Sequence, residues 1–172
     1  MLALANTSRT VARELGLTLP LYPVKGYSIT APIDDAENRL PRMGILDDDR
    51  KIVLARFGGA IRVAGTAEFT GFDERIDLRR VAPILDAARE LFPGPLDSLR
   101  PETANPWTGL RPLTPDGPPV LGPDSRAPAG LFFNTGHGSL GWTEAAGSAR
   151  LVADCIEGKP TALDLTPYSL AR

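Results

Sequence analysis

The amino-acid sequence predicts an α+β fold in which α/β material at the two ends of the chain flanks a mainly antiparallel middle. Two observations predict the ends. The apolar start MLALAN runs into the helical pattern SRTVARELGL, and LFFNT, from residue 131, runs through a glycine turn into the helical pattern of EAAGSARLVADCI. A third observation predicts the middle: KIVLARFGGAIRVAGTAEFTG holds two β-rich runs, residues 51–56 and 60–67, joined through Gly58 and Gly59 as in a hairpin. A strand and a helix without neighbours cannot bury both faces, so the two ends are expected to share one sheet layer that is incomplete within these 172 residues. The sequence reads as part of a larger protein.

Each element has its own signal. MLALAN is expected as a short strand, and SRTVARELGL as a short helix bounded by a capping serine, Ser8, and a terminating glycine, Gly16. In LPLYPVKGYSITAPI apolar and polar residues alternate between prolines, which predicts a strand from near Tyr22. Residues 78–92 place Val81, Ile84, Leu85, Ala88, Leu91 and Phe92 on one helical face, with Pro83 near the first turn, where proline costs least. Residues 93–130 are rich in proline and glycine yet carry Trp107, Leu110, Val120 and Leu121 at intervals, predicting ordered loop and short strand. The residues after 157 show little periodicity and end in a polar tail.

Composition excludes several function classes. Lys and Arg number 19 against 21 Asp and Glu, for a formal net charge of −2, which gives no electrostatic case for nucleic acid. No apolar run approaches the ~20 residues of a membrane span, and the first residues lack the charged start and long apolar core of a signal peptide. A cytoplasmic chain, or one peripheral to a membrane, is expected. Cys155 has no second cysteine to pair with and lies among apolar neighbours, where a buried small hydrophobe is the expected use. One histidine and one cysteine leave no zinc site of that ligand type. The acidic runs DDAE at 34–37 and DDDR at 47–50 suit solvated turns better than a metal site.

The residues with chemical potential cluster in two places. Gly136, Gly138 and Gly141 stand in a G-x-G-x-x-G arrangement, which lets backbone N–H groups approach a ligand and aims a helix N-terminus at it. No second buried strand follows, so the motif does not read as the pyrophosphate half of a dinucleotide-binding unit. His137 inside this turn is either a ligand-facing group or a hydrogen-bonded structural one. Ser139 and Thr143 suit helix caps, and Trp142 suits core packing more than a pocket wall. Upstream, Arg111 in WTGLRPLTP could grip a carboxylate with its planar fork, although pairing with Asp116 or Glu102 is the commoner use of such an arginine. Lys25 and Tyr27 flank Gly26, which fits either close approach to a ligand or a bulged strand.

Taken together, PVKGYSIT, KIVLARFGGAIRVAGTAEF, NPWTGLRPLTPDGPPVLGP and LFFNTGHGSLGWTEAAGSARLVAD resemble the FAD-dependent D-amino acid dehydrogenases, of the same superfamily as D-amino acid oxidase and glycine oxidase. The resemblance runs over nearly the whole chain and matches the C-terminal part of such an enzyme. It implies an FAD-domain segment at 1–24, a substrate-binding domain at 25–104 and a second FAD-domain segment at 105–172. It implies that Arg111 binds the substrate carboxylate, and that Gly136, His137, Gly138, Ser139, Leu140, Gly141, Trp142 and Thr143 lie against the flavin near its pyrimidine edge. Lys25 and Gly26 mark the return into the substrate domain, with Tyr27 approaching the site. The implied reaction is oxidation of a D-amino acid by hydride transfer to FAD, water then releasing a 2-oxo acid and ammonia. Electrons then pass to a respiratory quinone or another acceptor.

Two features qualify the match. The glycine oxidase branch carries an arginine shortly after its Gly-His pair, where this chain has Ser139 and Leu140, which favours the dehydrogenase branch. The family's N-terminal GxGxxG unit is absent from these residues. This chain alone is therefore expected to bind FAD weakly or not at all and to be inactive without the missing FAD-binding half. A stand-alone small-acid binding module and a nonfunctional split-gene product are the competing readings.

Overall fold

The computed structural model describes residues 1–33 and 39–172, so the acidic run at 34–37 lies outside the described residues. Two compact units make up the chain, one of Met1–Val24 with Leu110–Arg172 and one of Lys25–Gly109.

The Lys25–Gly109 unit is built on a five-stranded sheet of order β2-β3-β4-β1-β5. Its strands are β1 (Tyr22–Pro32), β2 (Ile45–Asp47), β3 (Ile52–Phe57), β4 (Ala60–Glu68) and β5 (Pro106–Leu113), and β1 and β5 each continue into the other unit. The β1–β4, β3–β4 and β2–β3 pairs are antiparallel. The hairpin expected at residues 51–67 is present: Phe57 pairs with Ala60, and Gly58 takes φ +58° in the two-residue loop. That positive φ at the first central position is the requirement of a type II′ turn. Strand β2 had no sequence signal, being only three residues long.

Helix α1 (Ser8–Glu14) belongs to the other unit; α2 (Leu78–Leu91) covers one face of the sheet. The Asp77 carboxylate caps α2 by accepting from the Arg79 amide at 2.9 Å. Val81, Ile84, Leu85 and Ala88 pack from α2 onto Tyr27, Ile29, Leu54, Ile61 and Val63. Each large aliphatic side chain so buried contributes about 1.5–3 kcal/mol, which makes this layer the main source of stability in the unit. Gly65 is needed under it, because a Cβ there would stand 2.9 Å from Ile52 Cγ2.

In the Met1–Val24 and Leu110–Arg172 unit, β6 (Val120–Pro123) and β7 (Phe132–Thr135) form an antiparallel pair, followed by α3 (Gly141–Ile156). The strand expected at MLALAN contracts to one parallel bridge from Leu2 to Phe133. Ala5, at φ +47°, turns the chain away into a 3-10 turn over Ala5–Thr7. Ser8 does not cap α1. It lies inside the first turn, and its Oγ accepts from the Leu4 amide at 2.9 Å. Gly16 does end the helix: at φ +75° it lets the Gly16 and Leu17 amides donate to the Arg13 and Ala12 carbonyls, a Schellman arrangement. The aperiodic tail packs back through a second 3-10 turn at Thr166–Tyr168, and Leu170 is buried with Leu2, Leu19, Leu21, Val120 and Phe133.

Candidate functional site

Strand β7 delivers the chain into the glycine turn, where Gly136 and Gly138 have φ of +86° and +55°. The two glycines are there for different reasons. A Cβ on Gly136 would meet Thr114 Cγ2 at 2.9 Å and Leu21 Cδ2 at 3.0 Å, so its bare side is filled by protein and not held open for a ligand. A Cβ on Gly138 would meet only Leu113, at an ordinary 3.6 Å, so there the backbone conformation alone calls for glycine. Gly138 also donates its amide to the Pro112 carbonyl at 3.0 Å, and Leu113 bridges His137. These contacts fix the turn directly beside the backbone of Arg111.

The start of α3 is open. Leu140 occupies the N-cap position and no side chain caps the helix, so neither Ser139, one residue too early, nor Thr143, in the third helical position, plays the capping role expected of it. Trp142 is 96% exposed, which overturns its expected core packing. Leu140 is exposed too, and the amides of Ser139, Gly141, Trp142 and Thr143 make no turn or cap hydrogen bond among the described residues. An uncapped helix of this length presents partial positive charge at its first turn, which suits electron-rich acceptors such as the pyrimidine edge of a flavin. A cavity of about 230 Å³ lies along this end of α3, lined by Thr143, Glu144, Gly147 and Ser148 on one side and Leu163 and Tyr168 on another.

His137 is half-buried, with Nε2 3.0 Å from the Ser148 Oγ on the second turn of α3. Burial pushes its pKa below the ordinary value, against a smaller opposing pull from Glu144, so the imidazole is neutral at pH 7. It ties the turn to the helix that follows. Arg111 is half-exposed on β5, and among the described residues no hydrogen bond or ion pair engages its guanidinium. The carboxylate pairing weighed for it is taken elsewhere: Asp116 accepts from Arg172 Nε at 2.6 Å and Nη2 at 3.0 Å.

In the Lys25–Gly109 unit, Lys25 and Tyr27 are 2% and 1% exposed. Lys25 Nζ lies 2.9 Å from Glu68 Oε2 and donates to the Arg75 carbonyl at 3.1 Å; the Tyr27 hydroxyl donates to the same Glu68 oxygen at 2.8 Å. Arg80 of α2 closes the group at 3.3 Å from Glu68 Oε1. The Lys25 and Tyr27 bonds hold the Glu68 carboxyl below its usual range, and the bond to Glu68 raises Lys25. Gly26 sits at a register shift in the β1–β4 ladder, but β1 itself runs on without an extra residue and the bulge lies on the partner strand. The extra residue on β4 is Thr66, at φ +59°. The bulge matters because it brings Lys25 opposite Glu68 while Tyr27 pairs with Gly65. A cavity of about 360 Å³ adjoins this group, lined by Lys25, Glu68, Asp73, Arg75, Asp77 and Arg79.

Glu68 and Ser148, which hold the candidate residues, were not singled out from sequence. Glu68 had a weak signal, an acidic residue closing an apolar strand. Ser148 had none, since its partner is eleven positions away across a turn. Cys155 is half-buried, not fully buried, and burial raises its pKa, which keeps it a thiol. Asp47 ends β2 and the DDDR run turns as expected, with Asp47 and Asp48 paired to Arg50 and Lys51. Among the described residues no group of three or more His, Cys, Asp or Glu gathers as metal ligands, and no helix is long and apolar enough to cross a membrane.

Comparison with known proteins agrees with this architecture. An oxidoreductase of Halorhodospira halophila, itself uncharacterized, is 48% identical over all 172 residues, which cover 77% of it. D-amino acid dehydrogenases of Bradyrhizobium diazoefficiens and Sinorhizobium medicae are each 44% identical over the whole chain, which spans 39% and 40% of their lengths. Among solved structures, glycine oxidase from Geobacillus kaustophilus matches with a TM-score of 0.84 at 30% identity, covering 98% of this chain and 44% of that one. Iminodiacetate oxidase from Chelativorans sp. matches at 0.81 and 26% identity, covering 97% of this chain and 44% of that one. The chain thus spans less than half the length of these dehydrogenases and oxidases. A model of the FAD dependent oxidoreductase family matches residues 2–155, and the chain belongs to that family.

Proposed function

We propose that this chain is the C-terminal portion of a flavoenzyme that oxidises D-amino acids, and that it works only together with a dinucleotide-binding portion. The observation that carries the reading is the pairing of Arg111, unengaged among the described residues, with an uncapped α3 start, joined through the Gly138–Pro112 bond. Arg111 offers two parallel N–H donors to a substrate carboxylate. The amides at Gly141, Trp142 and Thr143, beside Ser139 and Leu140, offer donors to the electron-rich edge of the cofactor. FAD, when bound, supplies the two-electron acceptor. The amino acid loses a hydride from Cα and a proton from nitrogen, and water converts the imino acid to a 2-oxo acid and ammonia. His137, neutral and held by Ser148, positions the turn and needs no proton of its own. Lys25, Gly26 and Tyr27 brace the substrate-binding unit through Glu68. A respiratory quinone, as final acceptor, would place the assembled enzyme at a membrane face.

The test is dye-linked oxidation of D-alanine. The chain alone with FAD is expected to be inactive and colourless after desalting. Fusion to the dinucleotide-binding portion of a D-amino acid dehydrogenase is expected to restore flavin retention and turnover. In that fusion Arg111→Met is expected to lower kcat/KM by about 10- to 100-fold, the worth of a charge-assisted bond. A fusion that retains flavin but oxidises no D-amino acid, or full activity in Arg111→Met, refutes the assignment.

A further inference from the structure

Arg62 on β4 stands opposite Ala55 of β3 and Thr30 of β1. Strand alternation directs it away from Ile61 and Val63, onto the sheet face that α2 does not cover. Its guanidinium carbon lies 5.5 Å from the centroid of the Trp107 ring, and its Nη2 donates to the Ser28 Oγ at 3.1 Å. Gly109 explains the ring's position. A Cβ there would overlap the Trp107 ring, so the indole lies across bare backbone two residues along its own strand.

The guanidinium is therefore held from two sides by groups that carry no charge. Its cross-strand neighbours are an alanine and a threonine, and among the described residues no carboxylate pairs with it. That sets it apart from Arg50, Arg75, Arg79 and Arg80 of the same unit, each of which has an acidic partner. An arginine stacked on an aromatic face keeps its in-plane N–H donors directed outward, and stacking lowers the entropy lost when they engage a planar anion. Next to it Val53, 46% exposed and opposite Ala64, gives a short apolar bed on the same face.

We propose that Arg62, stacked on Trp107 and tied to Ser28, is a carboxylate-binding site on the open face of the sheet, taking a small aliphatic carboxylate whose chain lies over Val53 and Ala64. A planar two-oxygen anion matches the one free edge of the fork, and the apolar bed favours an organic acid over an inorganic anion. The site uses only residues of the Lys25–Gly109 unit and does not rest on the function proposed for Arg111.

The test is an NMR titration of the full chain at constant ionic strength, following the indole N–H of Trp107, identified by its loss in Trp107→Phe. Succinate is expected to shift that resonance saturably, with affinity at least about tenfold lower in Arg62→Gln. Arg62→Lys, which keeps the charge but loses the fork, is expected to fall well below the wild-type chain. A shift that persists in Arg62→Gln and is lost in Arg111→Met would place succinate at the other arginine and overturn the proposal. Absence of a saturable shift, equal affinity in Arg62→Gln, or phosphate binding as tightly as succinate overturns the proposal.

Discussion

Replacing Gly136 by alanine tests why the turn before α3 has its sequence. The residue is at φ +86°, a conformation that costs an L-residue about 1–2 kcal/mol. Its new methyl would also stand 2.9 Å from Thr114 Cγ2 and 3.0 Å from Leu21 Cδ2, inside contact distance of two buried side chains. Overpacking of that kind costs about 1–3 kcal/mol. The combined loss is about 2–5 kcal/mol, a large part of the roughly 5–15 kcal/mol that stabilises a folded domain. Gly138→Ala is the internal control, because at φ +55° its methyl would meet only Leu113 at 3.6 Å and incur the conformational term alone. Urea denaturation followed by circular dichroism is expected to move the Gly136→Ala midpoint down by about 1–2 M and the Gly138→Ala midpoint by less than half as much. Equal shifts for the two variants would show that the positive φ both glycines share, and not packing against Leu21 and Thr114, sets the cost, and would refute the reasoning.

Stability of the His137 region should depend on pH in a defined window. Burial depresses the folded pKa below the ordinary 6.5, so the unfolded chain binds the proton first, and stability present above about pH 6.5 is lost as pH falls below it. Thermal melts between pH 7.5 and 5.5 should show that decline in the parent chain and a flatter profile in His137→Gln; parallel profiles would refute it. Glu68→Gln leaves Lys25 buried without its counter-charge and should lower the thermal midpoint by several degrees, with partial recovery in the Lys25→Met/Glu68→Gln double variant. An unchanged midpoint in the single variant would mean that the cluster is not structural. Trp142→Ser should change stability by no more than about 0.5 kcal/mol, since the side chain touches almost nothing; a larger loss in chemical denaturation contradicts its exposed placement.

Legibility followed the range of the physical cause. The hairpin over Gly58 and Gly59, the α2 face and the Gly16 stop are local: each depends on residues within a few positions, so periodicity and turn chemistry showed them. The failures were long-range. Ser139 and Thr143 look like caps, but the helix start is set by the Leu113–His137 bridge and the Gly138–Pro112 bond, which put Leu140 at the cap. Trp142 looks like a core residue because it is large and apolar, yet the first turn of α3 presents it to the surface. Leu170 looks like tail, and only the return of the chain to Leu2 and Phe133 makes it core.

By itself the sequence determined the α+β class, the order of its main elements and the family, because alternation, helical spacing and turn residues act over short stretches of chain. Tertiary structure alone decided which polar groups are engaged. It gave Asp116 to Arg172 and left Arg111 without a partner among the described residues, and it closed Lys25, Tyr27 and Glu68 into one group across a bulge. It also set Arg62 on Trp107 above Gly109. The physical reason is that a hydrogen bond or ion pair depends on distance in space, and residues dozens of positions apart acquire that distance only once the strands have chosen their register.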